Sequence, residues 1–259
     1  TAGDRLSVMT PGWHEDSTGK WYQNPDGTYY INGFAEIDGT TYSFDENGYM
    51  QTGWVEKGVK DYYFNEDGSY DPSKKRPMIA LTFDDGPNAR YTPMLLDELK
   101  KRNIRASFFL IGENIEGNED ILLQMRKDGH LIGNHTWDHV QLDKIPAEKA
   151  RLEIEKTNNR IYEASGIYPS YVRPPFGAWI KDMELSVTML PVFWDVDTLD
   201  WKSKNIDSIL SIAQKQVHDG SIILMHDSYQ TSVDAALKIA DLFTEKGYVF
   251  VTADQLLLT

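Results

Sequence analysis

The chain has 259 residues, 41% of them hydrophobic, enough for one large domain beside a smaller module of ordinary globular composition. Forty acidic against 26 basic side chains give a net charge of −14, which repels phosphate backbones, argues against a nucleic-acid partner and suits a cationic ligand. The absence of cysteine excludes disulfides, thiolate metal ligands and thiol nucleophiles, and no run approaches the roughly 20 apolar residues of a membrane span.

Residues 1–11 read as an N-terminal extension without the charged and apolar segments of a secretory signal, which was either removed or never present. Residues 12–72 then repeat with a period of about twenty. Gly12-Trp13, Gly33-Phe34 and Gly53-Trp54 open the units, Trp21-Tyr22, Tyr42 to Phe44 and Tyr62 to Phe64 follow, and Asp26-Gly27, Asn47-Gly48 and Asp67-Gly68 supply turns. Each unit is expected to be an aromatic hairpin closed by its Asp-Gly or Asn-Gly turn, too small to bury a face alone and therefore stacked on its neighbours. Much of the acidic surplus lies here, with 13 acidic and 4 basic side chains in residues 1–72.

This segment resembles the cell-wall-binding repeats of the choline-binding type. The resemblance implies aromatic cages for choline on teichoic acid, built at Trp13, Trp21, Tyr22, Tyr42, Trp54, Tyr62 and Tyr63. Phe34 stands where a Trp is expected and Ser43 where an aromatic is, so the middle repeat is expected to lack a working cage. The same rings at the same period would equally serve as a packing spine. So small an array leads us to expect further repeats before Thr1.

A turn-rich stretch, Asp71 to Pro77, leads into a domain expected over residues 73–259. Strands are predicted at 78–83, 106–111, 130–134, 170–173, 192–196, 221–225 and 248–251. Helices are predicted at 92–102, 118–127, 147–164, 206–217 and 233–246, with Gly129, Gly166, Gly220 and Gly247 as left-handed terminators. The fold class is therefore α/β: a distorted, incomplete (β/α) barrel of about seven parallel strands, preceded by a small all-β hairpin module.

Every chemically suggestive motif follows a predicted strand, at the carboxyl end where α/β folds gather reactive groups. Asp84-Asp85-Gly86-Pro87 follows the first strand and His135-Thr136-Trp137-Asp138-His139 the third. Arg173-Pro174-Pro175-Phe176-Gly177 follows the fourth, Asp195, Asp197, Asp200 and Trp201 the fifth, and Leu224 to Asp227 closes the sixth. A carboxylate with two imidazoles supplies three ligands for zinc or another borderline divalent metal and leaves a position open for water. Taken singly, each motif reads as a solvated turn, a helix cap or a core histidine; His14, His130 and His218 carry no motif at all.

In order and together, the motifs resemble the polysaccharide deacetylase family, carbohydrate esterase family 4, over residues 77–259. The resemblance implies that Asp85, His135 and His139 bind one divalent metal, zinc first with cobalt, nickel or manganese as substitutes, and that Asp84 is the base. The chemistry of two adjacent aspartates leaves that order open, although strand alternation would put them on opposite faces and so in different jobs. The resemblance further implies that Arg173 pairs with Asp84, that the Phe176 backbone N–H serves the oxyanion, that Asp200 orients the acid His226, and that Trp201, Leu224 and Pro174 line the acetyl pocket.

The implied activity is removal of N-acetyl groups from N-acetylglucosamine in a wall polysaccharide, peptidoglycan before others, by an extracellular, wall-associated enzyme. Acetylxylan esterase and chitin oligosaccharide deacetylase use the same machinery. A non-catalytic wall-binding protein is disfavoured by the complete motif set, and a phosphodiesterase by the single-metal ligand set without a basic cluster.

Overall fold

The computed structural model describes residues 10–58, 60–181, 183, 185 and 188–257. The chain divides into two units, the first ending at Arg76 and the second beginning at Pro77. The border expected after residue 72 thus falls after residue 76, and residues 1–9 of the expected extension lie outside the described residues.

Three antiparallel hairpins form the first unit: β1 (Gly12–Glu15) with β2 (Lys20–Gln23), β3 (Gly33–Ile37) with β4 (Thr40–Phe44), and β5 (Gly53–Lys57) with β6 (Lys60–Phe64). Trp13 faces Tyr22, Phe34 faces Ser43 and Trp54 faces Tyr63 across the paired strands. Trp21, Phe44 and Phe64 are buried between hairpins. Successive units are joined by a recurring backbone bond, Met50 N–H to the Lys20 carbonyl at 2.6 Å and Tyr70 N–H to the Thr41 carbonyl at 2.9 Å.

The expected hairpin closures are placed differently. Asp38-Gly39, both at positive φ, closes β3 onto β4, as a two-residue turn between right-twisted strands requires. The turns at Asp26-Gly27, Asn47-Gly48 and Asp67-Gly68 instead fold the chain back after β2, β4 and β6 into the bridges Gln23–Tyr29, Phe44–Met50 and Phe64–Tyr70. The cause is local. The Asp26 and Asp67 carboxylates each accept the N–H two residues on at 2.9 Å, forming a turn independently of strand pairing.

In the second unit, parallel strands alternate with helices. They are β7 (Met78–Gly86), β8 (Ser107–Leu110), β9 (Leu131–Asn134), β10 (Tyr171–Val172), β11 (Leu190–Pro191), β12 (Val196–Asp197), β13 (Ile222–His226) and β14 (Val249–Phe250). The order β11-β10-β9-β8-β7-β13-β12, with β14 beside β7, is the open, incomplete barrel expected from the alternation. Of the strand expected at 192–196 only Val196 is in a strand, as the first residue of β12, while β11 ends just before it; the two lie at opposite edges of the sheet. There the Val192 and Phe193 carbonyls accept bonds from the Arg173 side chain rather than from a neighbouring strand.

The helices are α1 (Tyr91–Lys101), α2 (Glu119–Lys127), α3 (Ala147–Ser165), α4 (Asp200–Ser203), α5 (Ile206–Gln216), α6 (Gln230–Glu245) and α7 (Ala253–Leu257). Gly166, at φ 72°, ends α3 in the left-handed conformation that a side chain would resist. Among the described residues no helix is long and apolar enough to cross a membrane.

Strand alternation sorts the core. On β7, Ile79, Leu81 and Phe83 join Phe108, Leu110, Ile223 and Met225 in the layer packed under α1, α2 and α6. Ala80, Thr82 and Asp84 occupy the other face with Ser107, Phe109, Leu224 and His226, because paired strands share their pleat. Gly133 opposes Phe109 in the β8–β9 register, and a Cβ there would fall 2.5 Å from the Phe109 ring. Gly133→Ala is therefore expected to cost about 1–3 kcal/mol of stability by overpacking, read as a lowered urea midpoint. An unchanged midpoint would refute the contact.

Candidate active site

The reactive face opens at the carboxyl ends of β7, β9, β10, β12 and β13 into a cavity of about 430 Å³. Its lining brings together Asp84, Asp85, His135, His139, Pro174, Phe176, Trp201, Leu224 and His226 from separate stretches of sequence. Arg173 and Asp200 lie behind this wall, both fully buried.

Asp84 ends the alternating run of β7, and its Oδ1 accepts a hydrogen bond from Arg173 Nη1 at 2.9 Å. The same Nη1 donates to Thr82 Oγ1, Nε donates to the Val192 carbonyl and Nη2 to that of Phe193, so the guanidinium is fixed on several sides. The ring of Phe109 lies 4.3 Å from the guanidinium carbon, adding a cation–π contact. Burial lowers the Arg173 pKa from its ordinary value, with Asp84 opposing it.

Strand alternation fails at the next residue. Asp85 takes φ 72° and the β7–β8 register shifts between Asp84 and Gly86. This bulge turns both carboxylates toward one imidazole: His135 Nε2 is 3.3 Å from Asp85 Oδ1 and 3.7 Å from Asp84 Oδ2. The two aspartates do not point to opposite faces. They differ instead in partners, Asp84 held by a buried arginine and Asp85 by histidines.

His135 Nδ1 stands 2.6 Å from the Arg173 carbonyl oxygen, which can only accept, so the ring hydrogen is on Nδ1 and the neutral ring's lone pair on Nε2. His139 Nε2 is 3.5 Å from Asp85 Oδ1, and the three ligand atoms of Asp85, His135 and His139 lie within 4.8 Å of one another. Asp85 Oδ1 is buried without a hydrogen-bond donor. A buried carboxylate oxygen without a donor, facing the lone pair of a neutral His135 and the Nε2 of His139, is unfavourable unless a cation sits among them, so the donor set fits a divalent ion bound by one oxygen and two nitrogens.

Charge in the pocket is coupled. Burial raises the Asp85 pKa, but His135, when its Nε2 carries a second proton, outweighs it together with His226 and His139 and holds the carboxyl below its ordinary value. For His139, burial and the charge of His135 lower the pKa.

His226 pairs in register with Asp84 on the neighbouring strand and lies 3.8 Å from Asp85 Oδ2. Asp200 grips it twice, one oxygen 2.8 Å from ring Nδ1 and the other accepting its backbone N–H at 2.8 Å. Burial lowers the His226 pKa, yet Asp200, followed by Asp84 and Asp85, lifts it to about 9. Asp200 does not cap α5. Asn205 does so, its side-chain oxygen accepting the Ser208 N–H at 2.9 Å.

Phe176, at φ 59° and 68% exposed, forms one lip of the cavity and meets the His139 ring edge-on at 5.0 Å; Trp201, 49% exposed, stands at the opening as well. Trp194, Asp197 and Tyr229 also line the cavity; no motif spacing marks Trp194 or Tyr229 in the sequence, and Asp197 is visible there only as one of several acidic residues after the fifth strand. Asp195 is turned elsewhere, accepting from Ser221 Oγ and Ile222 N–H at the start of β13.

The polysaccharide deacetylase profile matches residues 71–192. The peptidoglycan-N-acetylglucosamine deacetylase of Bacillus cereus is 39% identical over 188 residues, covering 70% of this chain and 68% of that protein. This chain belongs to the polysaccharide deacetylase family. Another relative in that family, the peptidoglycan-N-acetylmuramic acid deacetylase PdaC of Bacillus subtilis, is 41% identical over 186 residues, 72% of this chain and 39% of that one. The chain thus spans about two fifths of that relative's length. The solved structure of PdaC superposes with a TM-score of 0.68 at 40% identity, covering 72% of this chain and 91% of the solved one.

The electrostatics set a pH dependence. A group whose pKa is raised to about 9 keeps its proton below that pH and loses it above. Any turnover needing the His226 proton should therefore fall on an alkaline limb near pH 9. Asp200→Asn removes the largest upward influence and should move the limb of the kcat profile down by about one unit or more; a limb that stays in place would dissociate it from His226.

Proposed function

We propose that this chain is a metal-dependent N-deacetylase acting on N-acetylglucosamine of peptidoglycan. One observation carries the reading. Asp84 and His226 are register partners on adjacent strands, each backed by its own buried counter-ion, and the Asp85–His135–His139 cluster contacts both.

A divalent cation, zinc by its donor set, would be held by Asp85, His135 and His139 and would polarise the acetamide carbonyl while acidifying a water. Asp84 takes the proton of the attacking water: Arg173 engages Oδ1, and Oδ2 faces the cluster. The Phe176 N–H receives the developing oxyanion. His226 then donates to the departing nitrogen, since an amide anion is too basic to leave unassisted. Asp200 holds Nδ1, so Nε2 is the atom that delivers the proton. Water and acetamide are converted to acetate and a free amino sugar. Leu224, Trp201 and Pro174 wall the space for the acetyl methyl.

The identity between this chain and relatives named for peptidoglycan supports the choice of polymer, and an extracellular, wall-associated location follows from it. The name of PdaC favours a second reading in which N-acetylmuramic acid is the sugar. Mass analysis of muramidase fragments after treatment distinguishes the two by which sugar has lost its acetyl group. Acetate release is expected from peptidoglycan and not from acetylated xylan; release from xylan alone would remove the substrate assignment. Asp84→Asn should abolish turnover while retaining the metal, and an active variant would refute the assigned base.

We further propose that the hairpin unit binds an organic cation of the choline type at its first aromatic position, anchoring the enzyme to the wall and raising the effective concentration of substrate. Trp13 meets Tyr22 and Tyr42 at steep angles, 5.3 and 4.8 Å between centroids, beside a cavity of about 300 Å³ that Glu15, Asp67 and Lys20 also line, the two carboxylates outnumbering the one ammonium. The later positions already carry the chain's own cations, Lys57 over Phe34 at 4.6 Å, Arg76 over Trp54 at 5.9 Å and Lys74 over Tyr63 at 5.8 Å. Trp21, 1% exposed, has no face to offer a ligand, and Tyr62 is engaged edge-on with Phe34. Titration with choline should therefore saturate at one site and be lost in Trp13→Ala. Binding that survives this substitution would overturn the assignment.

A further inference from the structure

The segment carrying both histidines of the cluster is not a helix. Between β9 and the loop beyond it, Thr136 and His139 adopt left-handed φ of 66° and 63°, a conformation that non-glycine residues resist. Such a turn persists only when its surroundings impose it. Three hydrogen bonds impose part of it. Gly112 N–H bonds to the Thr136 carbonyl and Glu113 N–H to that of Trp137, each at 3.0 Å, and Asn134 Oδ1 accepts Thr136 N–H at 2.7 Å.

The rest comes from one face of α3. Glu153 Oε2 accepts two consecutive backbone N–H groups lying between the histidines, Trp137 at 2.8 Å and Asp138 at 3.3 Å. One turn on, Lys156 places its ammonium 3.5 Å over the Trp137 ring. Asn158, fully buried, accepts from Asn134 Nδ2 at 2.7 Å, and the Ile154 carbonyl takes the other hydrogen at 2.8 Å. The helix therefore holds the residue before His135 and the two residues before His139.

We propose that Glu153 is a positioning residue for the metal centre, setting the separation of His135 and His139 by anchoring the turn between them. Its hydrogen bonds go to the backbone of the turn and to neither ligand side chain, and nothing in its sequence context marks it. The inference rests on the reading of Asp85, His135 and His139 as a metal site. Partners that hold a ligand side chain directly govern affinity by about 10- to 100-fold, and a support one step further out, on the ligands' own turn, is expected at the lower end of that range.

The test compares Glu153→Ala with Glu153→Gln, which keeps an acceptor oxygen while losing the charge. Zinc affinity is read by competition with a chromophoric chelator, ligand geometry by the visible spectrum after cobalt substitution, and folding by thermal unfolding of the metal-free protein. The Ala variant is expected to bind zinc about 10-fold more weakly with an altered cobalt spectrum, and the Gln variant to stay near the parent. An Ala variant that loses thermal stability but binds zinc like the parent would reduce Glu153 to a structural role. A Gln variant as weak as the Ala variant would replace positioning with simple charge. If the Ala variant does not fold, Glu153→Asp, whose carboxylate is withdrawn by one methylene, carries the same expectation. A parent protein that binds no divalent ion would overturn the metal-site reading itself, a result distinct from failure of the Glu153 variants.

Discussion

Both banks of the active site trace back to a single buried arginine. The Arg173 side chain bonds Asp84, Thr82 and the carbonyls that follow β11, while its backbone carbonyl fixes the tautomer of His135. A wholly buried ion pair contributes little net stability compared with an apolar pair of the same volume. What it contributes is orientation. One carboxylate oxygen is turned away from the cluster and the other toward it, and one imidazole nitrogen is reserved for a cation. Loss of Arg173 would leave Asp84 a buried charge without its partner and would loosen the sheet edge where a regular strand is missing.

The pocket is asymmetric in charge for a related reason. Three aspartates and three histidines line it, and Arg173 and Asp200 are both completely enclosed behind them. Two of the groups have a dedicated buried partner: Arg173 for Asp84, Asp200 for His226. Asp85 is the exception, its Oδ1 buried without a donor. Asp84, His226 and the Asp85–His135–His139 cluster are thereby held close together, each with its own nearest partner inside one coupled field.

Much of this could be read from the sequence because periodicity and motif position are local properties. Alternation along β13 places Leu224 and His226 on one face, and strand-helix alternation places the motifs at one end of the sheet. Alternation misleads at Asp85, where a left-handed residue inserts a bulge that no composition rule announces. The strand expected at 192–196 reads as apolar, yet its carbonyls are taken by an arginine from another strand. Likewise, Asp26-Gly27 and its repeats have hairpin chemistry but satisfy it within a few residues. Glu153, Trp194 and Tyr229 carry no sequence signal for a different reason: a tertiary contact, not a spacing, brings each to the site.

Unfavourable backbone conformations collect around the cavity. Asp85, Thr136, His139, Phe176 and Leu199, all non-glycine residues at positive φ, follow or end strands whose interiors are regular and buried. Strain of this kind is sustained by the structure beneath it, here a sheet with one face packed under helices and the other filled by Phe109, Leu224 and Arg173. The barrel therefore does more than bring distant motifs together. Its rigidity keeps Asp85, His135 and His139, with Asp84 and His226, in positions that a relaxed chain would abandon. A loosened core should accordingly reveal itself in the mutual geometry of His135, His139 and Asp85 before the fold is lost, because the turns bearing them relax first.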